Sequence, residues 1–193
     1  MESNRSDKIL QLMEQTGALL KGHFLLTSGL HSEFYMQCAL LLRFPEHASY
    51  AGGLISDRVR VLDPDIIAAP AIGGLIIGHE VARSLGLPFI FCERESGKMV
   101  LRRFPVPEGK RVIVVEDVIT TGGSVREVGE LLQEKGCEWV GSACIVDRSG
   151  GNHVLPVQPV SLCKVDFPLY DPSECPLCDK GLELVKPGSR KFK

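Results

Sequence analysis

The sequence predicts an α/β fold, a parallel sheet flanked by helices with a small lid at one edge. Two observations carry that reading. Between residues 45 and 148, apolar runs of strand length alternate with apolar residues at helical spacing, an order that implies right-handed crossovers and parallel strands. At the centre, Val112-Ile113-Val114-Val115 is a β-branched run with no polar face, as expected for a strand covered on both sides. The run stops at Glu116-Asp117. Val118-Ile119-Thr120-Thr121-Gly122-Gly123-Ser124 follow, and then Val125, Val128, Leu131 and Leu132 fall on one helical face. In an open α/β sheet ligands bind beyond the carboxyl ends of the strands, so the acids and small residues stand where a site is expected.

From the beginning, Ser6 is expected to cap a helix whose apolar positions Ile9, Leu12 and Met13 precede a stop at Gly17. Gly22 to Gln37 reads as two short strands around a turn at Ser28-Gly29, a lid over the carboxyl edge of the sheet. Ala48, Ala51, Ile55, Val59 and Leu62 make a helical face, with Pro45 tolerated in the first turn. Asp65 to Ala69 is a buried strand ending in Pro70-Ala71-Ile72-Gly73-Gly74, a second turn of small residues, and a helix follows through Gly78, Val81, Ala82 and Leu85. Leu87 to Cys92 is a short strand. In Glu93 to Gly109 charges and a Pro-x-Pro pair break any periodicity, which predicts a long loop, more often functional than idle. Trp139 to Val146 is the last apolar strand before Asp147-Arg148-Ser149-Gly150-Gly151. Prolines at 156, 159, 168, 172, 176 and 187 then argue against a further crossover unit, so Pro159 to Lys164 is expected as an edge strand.

At 193 residues and 44% hydrophobic, the chain can bury one sizeable core, which favours a single domain with a small appendage. Its 24 acidic and 22 basic residues are interleaved except in Lys98 to Arg103 and the basic tail, and a net charge of -2 argues against a nucleic-acid or membrane partner. There is no apolar signal core and no run near the roughly 18 residues of a membrane span. A cytoplasmic protein with reduced thiols at its seven cysteines is the expectation.

The central loop suits one task. Amides of Thr121 to Ser124 at a helix start can converge on a phosphate, Gly122 and Gly123 allow close approach, and Thr120, Thr121 and Ser124 add hydroxyls. It is neither a Walker A loop, which needs Gly-Lys-Ser/Thr, nor the dinucleotide fingerprint with its three spaced glycines. Glu116 and Asp117 would repel that phosphate, so they should face hydrogen-bond donors. A ribose diol fits, and the pairing implies a ribose 5-phosphate ligand.

The stretch from Val112 to Ser124 resembles, position for position, the phosphoribosyl pyrophosphate (PRPP) motif of type I phosphoribosyltransferases. Lys21-Gly-His-Phe, the Ser28-Gly29-x-His31-Ser32 turn, Pro70-Ala71-x-Gly73-Gly74, the Arg94 to Arg103 loop and Asp147-Arg148 come in the order found in orotate phosphoribosyltransferases, and the resemblance covers nearly the whole chain. It implies a central parallel sheet of about five strands flanked by helices, with a small hood. The hood would come mainly from residues 1–44 with part of 150–193, and the core from about 45–149. It also implies transfer of the phosphoribosyl group of PRPP to orotate, with Mg²⁺ as cofactor held with PRPP and no direct protein ligand to the metal.

By that resemblance Glu116 and Asp117 hold the ribose hydroxyls, Thr120, Thr121, Gly122, Gly123 and Ser124 hold the 5-phosphate, and Val118 and Ile119 complete the PRPP-binding stretch. Ala71, Ile72, Gly73 and Gly74 supply amides to the pyrophosphate through a cis Ala71–Ile72 bond. Arg94 and the catalytic Lys98 lie on a mobile loop, 93–109, shared across a homodimer interface. Arg148 takes the orotate carboxylate, with Thr120 and the segment of Tyr35 and Met36 near the base. Asp117 joins Lys98 as a catalytic residue. Many members carry a lysine where Thr27 stands, a Tyr-Lys pair where Ile72 and Gly73 stand, and an arginine where Glu93 stands. Those departures imply either that Lys21, His31 or the loop arginines act instead, or that the chain falls in a branch with a Gly-Gly pyrophosphate loop, which is the favoured reading.

Alternatives from other classes are a phosphoribosyltransferase for xanthine, uracil or a purine, and a non-enzymatic PRPP-sensing regulator. Arg148 argues for an acidic base, and the basic cluster from Lys98 to Arg103 argues for an enzyme. Cys175-x-x-Cys178, with Cys163 upstream, has metal-ligand spacing, but one such pair without a second pair or a suitably spaced histidine does not establish a site. His23 and His31 fall in hood sequence. His47, His79 and His153 read as surface or helix-face residues.

Overall fold

The computed structural model describes residues 2–26, 28–105 and 108–187; Thr27, one of the departures noted from the resemblance, and the basic tail lie outside the described residues. In chain order the elements are α1 (Glu2–Gln15), β1 (Leu19–Leu25), β2 (His31–Met36), α2 (Ala39–Leu42), α3 (Pro45–Val59), β3 (Ile66–Pro70), α4 (Gly74–Leu85), β4 (Phe89–Glu95) and β5 (Lys98–Val100). They continue with β6 (Arg111–Ile119), α5 (Gly123–Glu134), β7 (Glu138–Asp147), β8 (Val160–Lys164), β9 (Leu169–Tyr170) and α6 (Pro176–Asp179).

The main sheet has the order β5-β4-β3-β6-β7-β8. The five strands from β4 to β8 are parallel, as expected, and β8 is the expected edge strand. The central run is continuous in sequence because the sheet is covered on both faces. Ile67, Ile113 and Val115 pack with Ile9 and Met13 of α1, Ile55 and Val59 of α3 and Ile77 and Val81 of α4. Their neighbours Ile66, Ala68, Val112 and Val114 turn to the other face, onto Val125, Val128 and Leu132 of α5. The period of two in the strands thus meets the 3.6-residue stripe of each helix. β1, β2 and β9 form a separate three-stranded antiparallel sheet, in which β1 and β2 are joined through the Ser28-Gly29 turn.

Two expectations need correction. Ser6 does not cap α1 but lies inside it, and its hydroxyl donates to Leu162 O at 2.7 Å, fastening the helix to β8. The segment after Cys92 is not loop throughout. β4 runs on to Glu95 and turns back into the antiparallel β5, pairing Glu93 with Val100 and Glu95 with Lys98. Ser96 and Gly97, at φ 50° and 83°, form a two-residue turn with both central residues left-handed, the twist that suits a tight hairpin. The signal was the short Ser-Gly pair, masked by the charges of Glu93-Arg94-Glu95 and Lys98 around it. No described helix is long and apolar enough to cross a membrane.

Candidate active site

The carboxyl ends of β3, β6 and β7 bring three loops together. β6 and β7 stay in register to their last residues, Val118 beside Val146 and Ile119 beside Asp147, and Arg148 N donates to Ile119 O at 2.7 Å. Arg148 is thereby anchored next to the end of the central strand. On the other side, the β3–α4 turn abuts the acid pair. A Cβ on Gly74 would lie 2.7 Å from Val115 O, and one on Gly73 3.0 Å from Glu116 Oε1 and 2.9 Å from Asp117 Oδ1. Only glycines let this turn sit flush against β6. The Ala71–Ile72 peptide bond is cis, as the resemblance implied, Ala71 N donates to Cys92 O at 2.7 Å, and the Ile72 side chain is 84% exposed.

Glu116 and Asp117 are half-buried. Asp117 N donates to Glu116 Oε1 at 3.1 Å and Val118 N to Asp117 Oδ1 at 2.7 Å, so each carboxylate is aimed by a backbone amide. Burial, reinforced by the charge of Asp117, pushes Glu116 up to about 8, and burial raises Asp117 above its ordinary value too. Two crowded, desolvated carboxyls are costly to ionise until hydrogen-bond donors or a cation face them. Burial, and then the charge of Asp117, also hold the thiol of Cys38 well above the ordinary range, so it is an inert neighbour.

Past the acids the chain forms a hollow of about 70 Å³ lined by Glu116 and by Val118 through Val125, which contains every residue expected to hold the phosphate. Gly122 opens α5 in the left-handed conformation, φ 80°, and a Cβ there would lie 2.8 Å from Leu155 Cγ. The first turn of α5 therefore directs its leading amides and the positive end of its dipole into the hollow. Val154 N donates to Thr121 O at 2.9 Å and holds the loop from behind.

Arg148 is half-buried, and burial lowers its basicity. Its guanidinium lies 5.4 Å from the Phe167 ring, Phe167 stacks on Phe34 at 4.5 Å, and Lys21 Nζ lies 5.6 Å from Phe34. Neither phenylalanine was singled out from the sequence. Phe34 differs little from any hood apolar residue, and Phe167 lies in a proline-rich stretch with no period. The side chains of Phe34 and Met36 share one face of β2, while Tyr35 turns to the other and packs at 5.8 Å on Phe24. The ring of Tyr35 is thus hood core. Asp147, also buried, accepts from Ser149 N and Oγ at 2.9 and 2.6 Å and from Gln158 Nε2 at 3.1 Å, shaping the turn that presents Arg148.

The basic hairpin is not brought to these loops. Lys98 borders a depression lined by Gly97, Met99, Leu131 and three acids of α5, Glu127, Glu130 and Glu134, and shares no lining residue with the phosphate hollow. Arg94 pairs with Glu127 at 2.8 Å and donates to Gly97 O at 2.9 Å. Arg103 forks onto Glu93 at 2.7 and 3.2 Å, and Arg102 reaches Glu95 at 3.3 Å. The Arg103 hydrogen bond holds Glu93 below its usual range, so this acid, where the resemblance led one to expect an arginine, organises the hairpin's own cations. His31, one candidate for a substitute cation, faces His23 and Cys178 instead.

A family model described as the phosphoribosyl transferase domain matches residues 41–155. The orotate phosphoribosyltransferase of Thermotoga maritima is 49% identical over 186 residues, covering 96% of this chain and all of that protein. That of Desulforamulus reducens is 48% identical, covering 96% of this chain and 98% of the relative. Among solved structures, the orotate phosphoribosyltransferase of Aeropyrum pernix superposes with a TM-score of 0.72 at 28% identity, covering 81% of this chain and 93% of that one. The Mycobacterium tuberculosis orotate phosphoribosyltransferase in complex with PRPP shares the fold, with a TM-score of 0.61 at 19% identity over 84% of this chain and 90% of that one.

Proposed function

This chain belongs to the phosphoribosyl transferase family, and from that premise we propose that it transfers the 5-phosphoribosyl group of PRPP to orotate, giving orotidine 5′-monophosphate and pyrophosphate in pyrimidine synthesis. The observation that carries the reading is the acid pair Glu116–Asp117 set between the Ala71–Gly74 turn and the hollow lined by Val118 to Val125, with Arg148 anchored beside it.

As the C1–oxygen bond of PRPP breaks, positive charge grows on the ribose ring and negative charge on the pyrophosphate, and the protein's task is to hold both ends in place. The first turn of α5, with Thr120, Thr121 and Ser124, grips the 5-phosphate. Glu116 and Asp117 accept from the ribose hydroxyls and lie close to the developing cation. Amides of the Ala71–Gly74 turn receive the departing pyrophosphate. Arg148 presents a planar fork to the orotate carboxylate. The pair's hard carboxylate oxygens also suit a divalent cation of the Mg²⁺ class, and Glu116 and Asp117 would hold it through its hydration shell. When bound with PRPP, Mg²⁺ supplies charge neutralisation of the pyrophosphate.

Lys98 acts, in this proposal, on the site of a second copy of the chain in a homodimer, since within its own subunit it borders α5 rather than the acid pair. Both substrates are small and soluble, and the seven cysteines are free, which supports a reducing cytoplasm. Incubation with PRPP, Mg²⁺ and orotate, following orotate by ultraviolet absorbance, tests the reading. Orotate should disappear as pyrophosphate forms, and uracil, xanthine, adenine and hypoxanthine should not react. No orotate loss, or preferred consumption of another base, would overturn it.

A further inference from the structure

The hood contains a second cluster of chemistry-bearing side chains that the transfer reaction does not use. His23 of β1, His31 of β2, and Cys175 and Cys178 at the two ends of a Cys-x-x-Cys turn offer four ligand atoms that all lie within 4.8 Å of one another. His23 Nε2 is 2.9 Å from His31 Nδ1, 3.6 Å from Cys175 Sγ and 3.8 Å from Cys178 Sγ, and Cys178 Sγ is 3.4 Å from His31 Nδ1. We propose that His23 Nε2, His31 Nδ1, Cys175 Sγ and Cys178 Sγ bind one Zn²⁺ in a closed tetrahedral structural site.

Three arguments converge. The first is distance. Zinc–nitrogen and zinc–sulfur bonds of about 2.05 and 2.3 Å at tetrahedral angles separate the ligand atoms by about 3.3 Å for N–N, 3.6 Å for N–S and 3.8 Å for S–S. The three nitrogen–sulfur separations given above fall around that value, the nitrogen–nitrogen pair needs to open by only a few tenths of an ångström, and the remaining pairs, within 4.8 Å, need to close by about 1 Å at most.

The second is the lone-pair inventory. His23 Nδ1 lies 3.0 Å from Leu182 O, which can only accept, so that nitrogen carries the ring proton and Nε2 offers a lone pair to the cluster. One lone pair satisfies one hydrogen bond, yet three polar atoms gather around it. A cation at the centre uses all four ligands at once. Binding releases the two thiol protons, and Zn²⁺ with two thiolates and two neutral imidazoles carries no net charge, which suits a cluster in which His23, His31 and Cys175 are buried.

The third is what the cluster joins. The segment after Lys164 is poor in core: β9 pairs with β2 over two residues, α6 is four residues long, and it buries Cys175 and Leu177. Such a segment gains from a metal what it lacks in apolar burial. Gly181 N donating to Cys178 O at 2.8 Å and Asp179 N donating to Cys175 O at 3.2 Å shape the turn, while Val185 N donating to His23 O at 2.8 Å lays the following chain along β1. The metal would pin this segment to both strands of the hood hairpin, and β2 is the strand whose Phe34 stacks on Phe167, the ring beside Arg148. Cys163 takes no part, since it lies outside the cluster and its Sγ contacts Ser6 O of α1.

The test uses the full untagged chain, purified under reducing conditions without chelator, and needs neither PRPP nor orotate, so its failure is separate from failure of the proposed reaction. Elemental analysis should find zinc equimolar with protein in the wild type and in Cys163→Ser, and none in the Cys175→Ser/Cys178→Ser double variant. Cobalt exchanged into the wild type should give the strong visible bands of a tetrahedral ion and a thiolate charge-transfer band, which Cys178→Ser should reduce by about half. Should the variants fail to fold, the wild-type cobalt spectrum decides alone. A wild type that carries no zinc, and whose reduced apo form gives no thiolate charge-transfer band with cobalt, would overturn the proposal.

Discussion

A Cβ on Gly73 would stand 2.9 Å from Asp117 Oδ1, an oxygen that the amide of Val118 already holds at 2.7 Å. The turn that is to take pyrophosphate and the acid that is to face ribose are therefore in contact across a gap with no room for a methyl group. Gly73 itself has φ -56°, an ordinary helical value, and is exposed, so alanine there strains no backbone dihedral and its methyl group presses on the ends of the Glu116 and Asp117 side chains. Gly73→Ala should lower kcat/KM for PRPP by ~10-fold or more, about 1.4 kcal/mol of transition-state binding, with the melting temperature unchanged. Steady-state kinetics and a thermal melt check both halves, and an undisturbed kcat/KM would show that Asp117 can move aside without consequence.

The raised pKa of Glu116 ties PRPP binding to pH. An unfolded chain titrates this carboxyl near 4.5, whereas the folded one holds its proton to about 8. The native state binds the proton more tightly, so the associated stability is full below 4.5 and is lost as pH rises through about 8. Glu116→Gln, which cannot ionise, should lose less stability than the wild type across that interval. Ribose hydroxyls and the cation accompanying PRPP favour the charged pair, so binding near neutral pH should expel a proton and tighten as pH rises toward 8. Calorimetric titration in two buffers of different ionisation enthalpy measures that proton, and a heat independent of the buffer would contradict the assignment.

Arg148 rests over Phe167, which in turn stacks on Phe34. Arg148→Lys keeps the charge but removes the fork and the flat face, and should raise the KM for orotate by roughly tenfold or more, in line with about 1.5–3 kcal/mol for a charged hydrogen bond. PRPP affinity should hardly change. Phe167→Ala should move the same parameter in the same direction by a smaller factor. Equal losses for both substrates would mean that Arg148 supports the fold rather than the base.

Lys98 and Asp117 can be separated by mixing. Asp117→Asn alone should lower turnover ~100-fold or more while the protein stays folded, because the group sits at a strand end and the amide oxygen can still accept from Val118 N. Lys98→Ala should be similarly impaired. If the hairpin serves the other copy, unfolding and refolding the two variants together should restore some sites that hold both intact residues. Activity no higher than that of the parents would confine Lys98 to its own subunit, or exclude it from the reaction.

Much of this protein could be read before its structure because the signals are local. Val112 to Val115 specify a doubly covered strand, the acids and glycines after them specify where it stops, and Pro45, Gly74 and Gly122 stand at helix starts through their own backbone preferences. Those features depend on neighbours two to four positions away, the range over which strand and helix periods repeat. The β4–β5 hairpin was also local, but its Ser96-Gly97 turn was hidden among charges that pair only once the strands fold back, Arg103 with Glu93 and Arg102 with Glu95.

Other features needed the tertiary structure because their members are far apart in sequence. Ser6 meets Leu162 only after β8 joins the sheet edge, and Phe167 meets Phe34 only after the chain returns to the hood. The Cys-x-x-Cys pair looked incomplete in sequence because no histidine lies nearby. The two histidines that face it stand about 150 residues earlier, on two strands that hairpin geometry brings side by side. A sequence states which side chains have metal-binding or stacking chemistry. Which of them share one small volume is decided by the sheet order, since backbone pairing and apolar burial fix it without regard to distance along the chain.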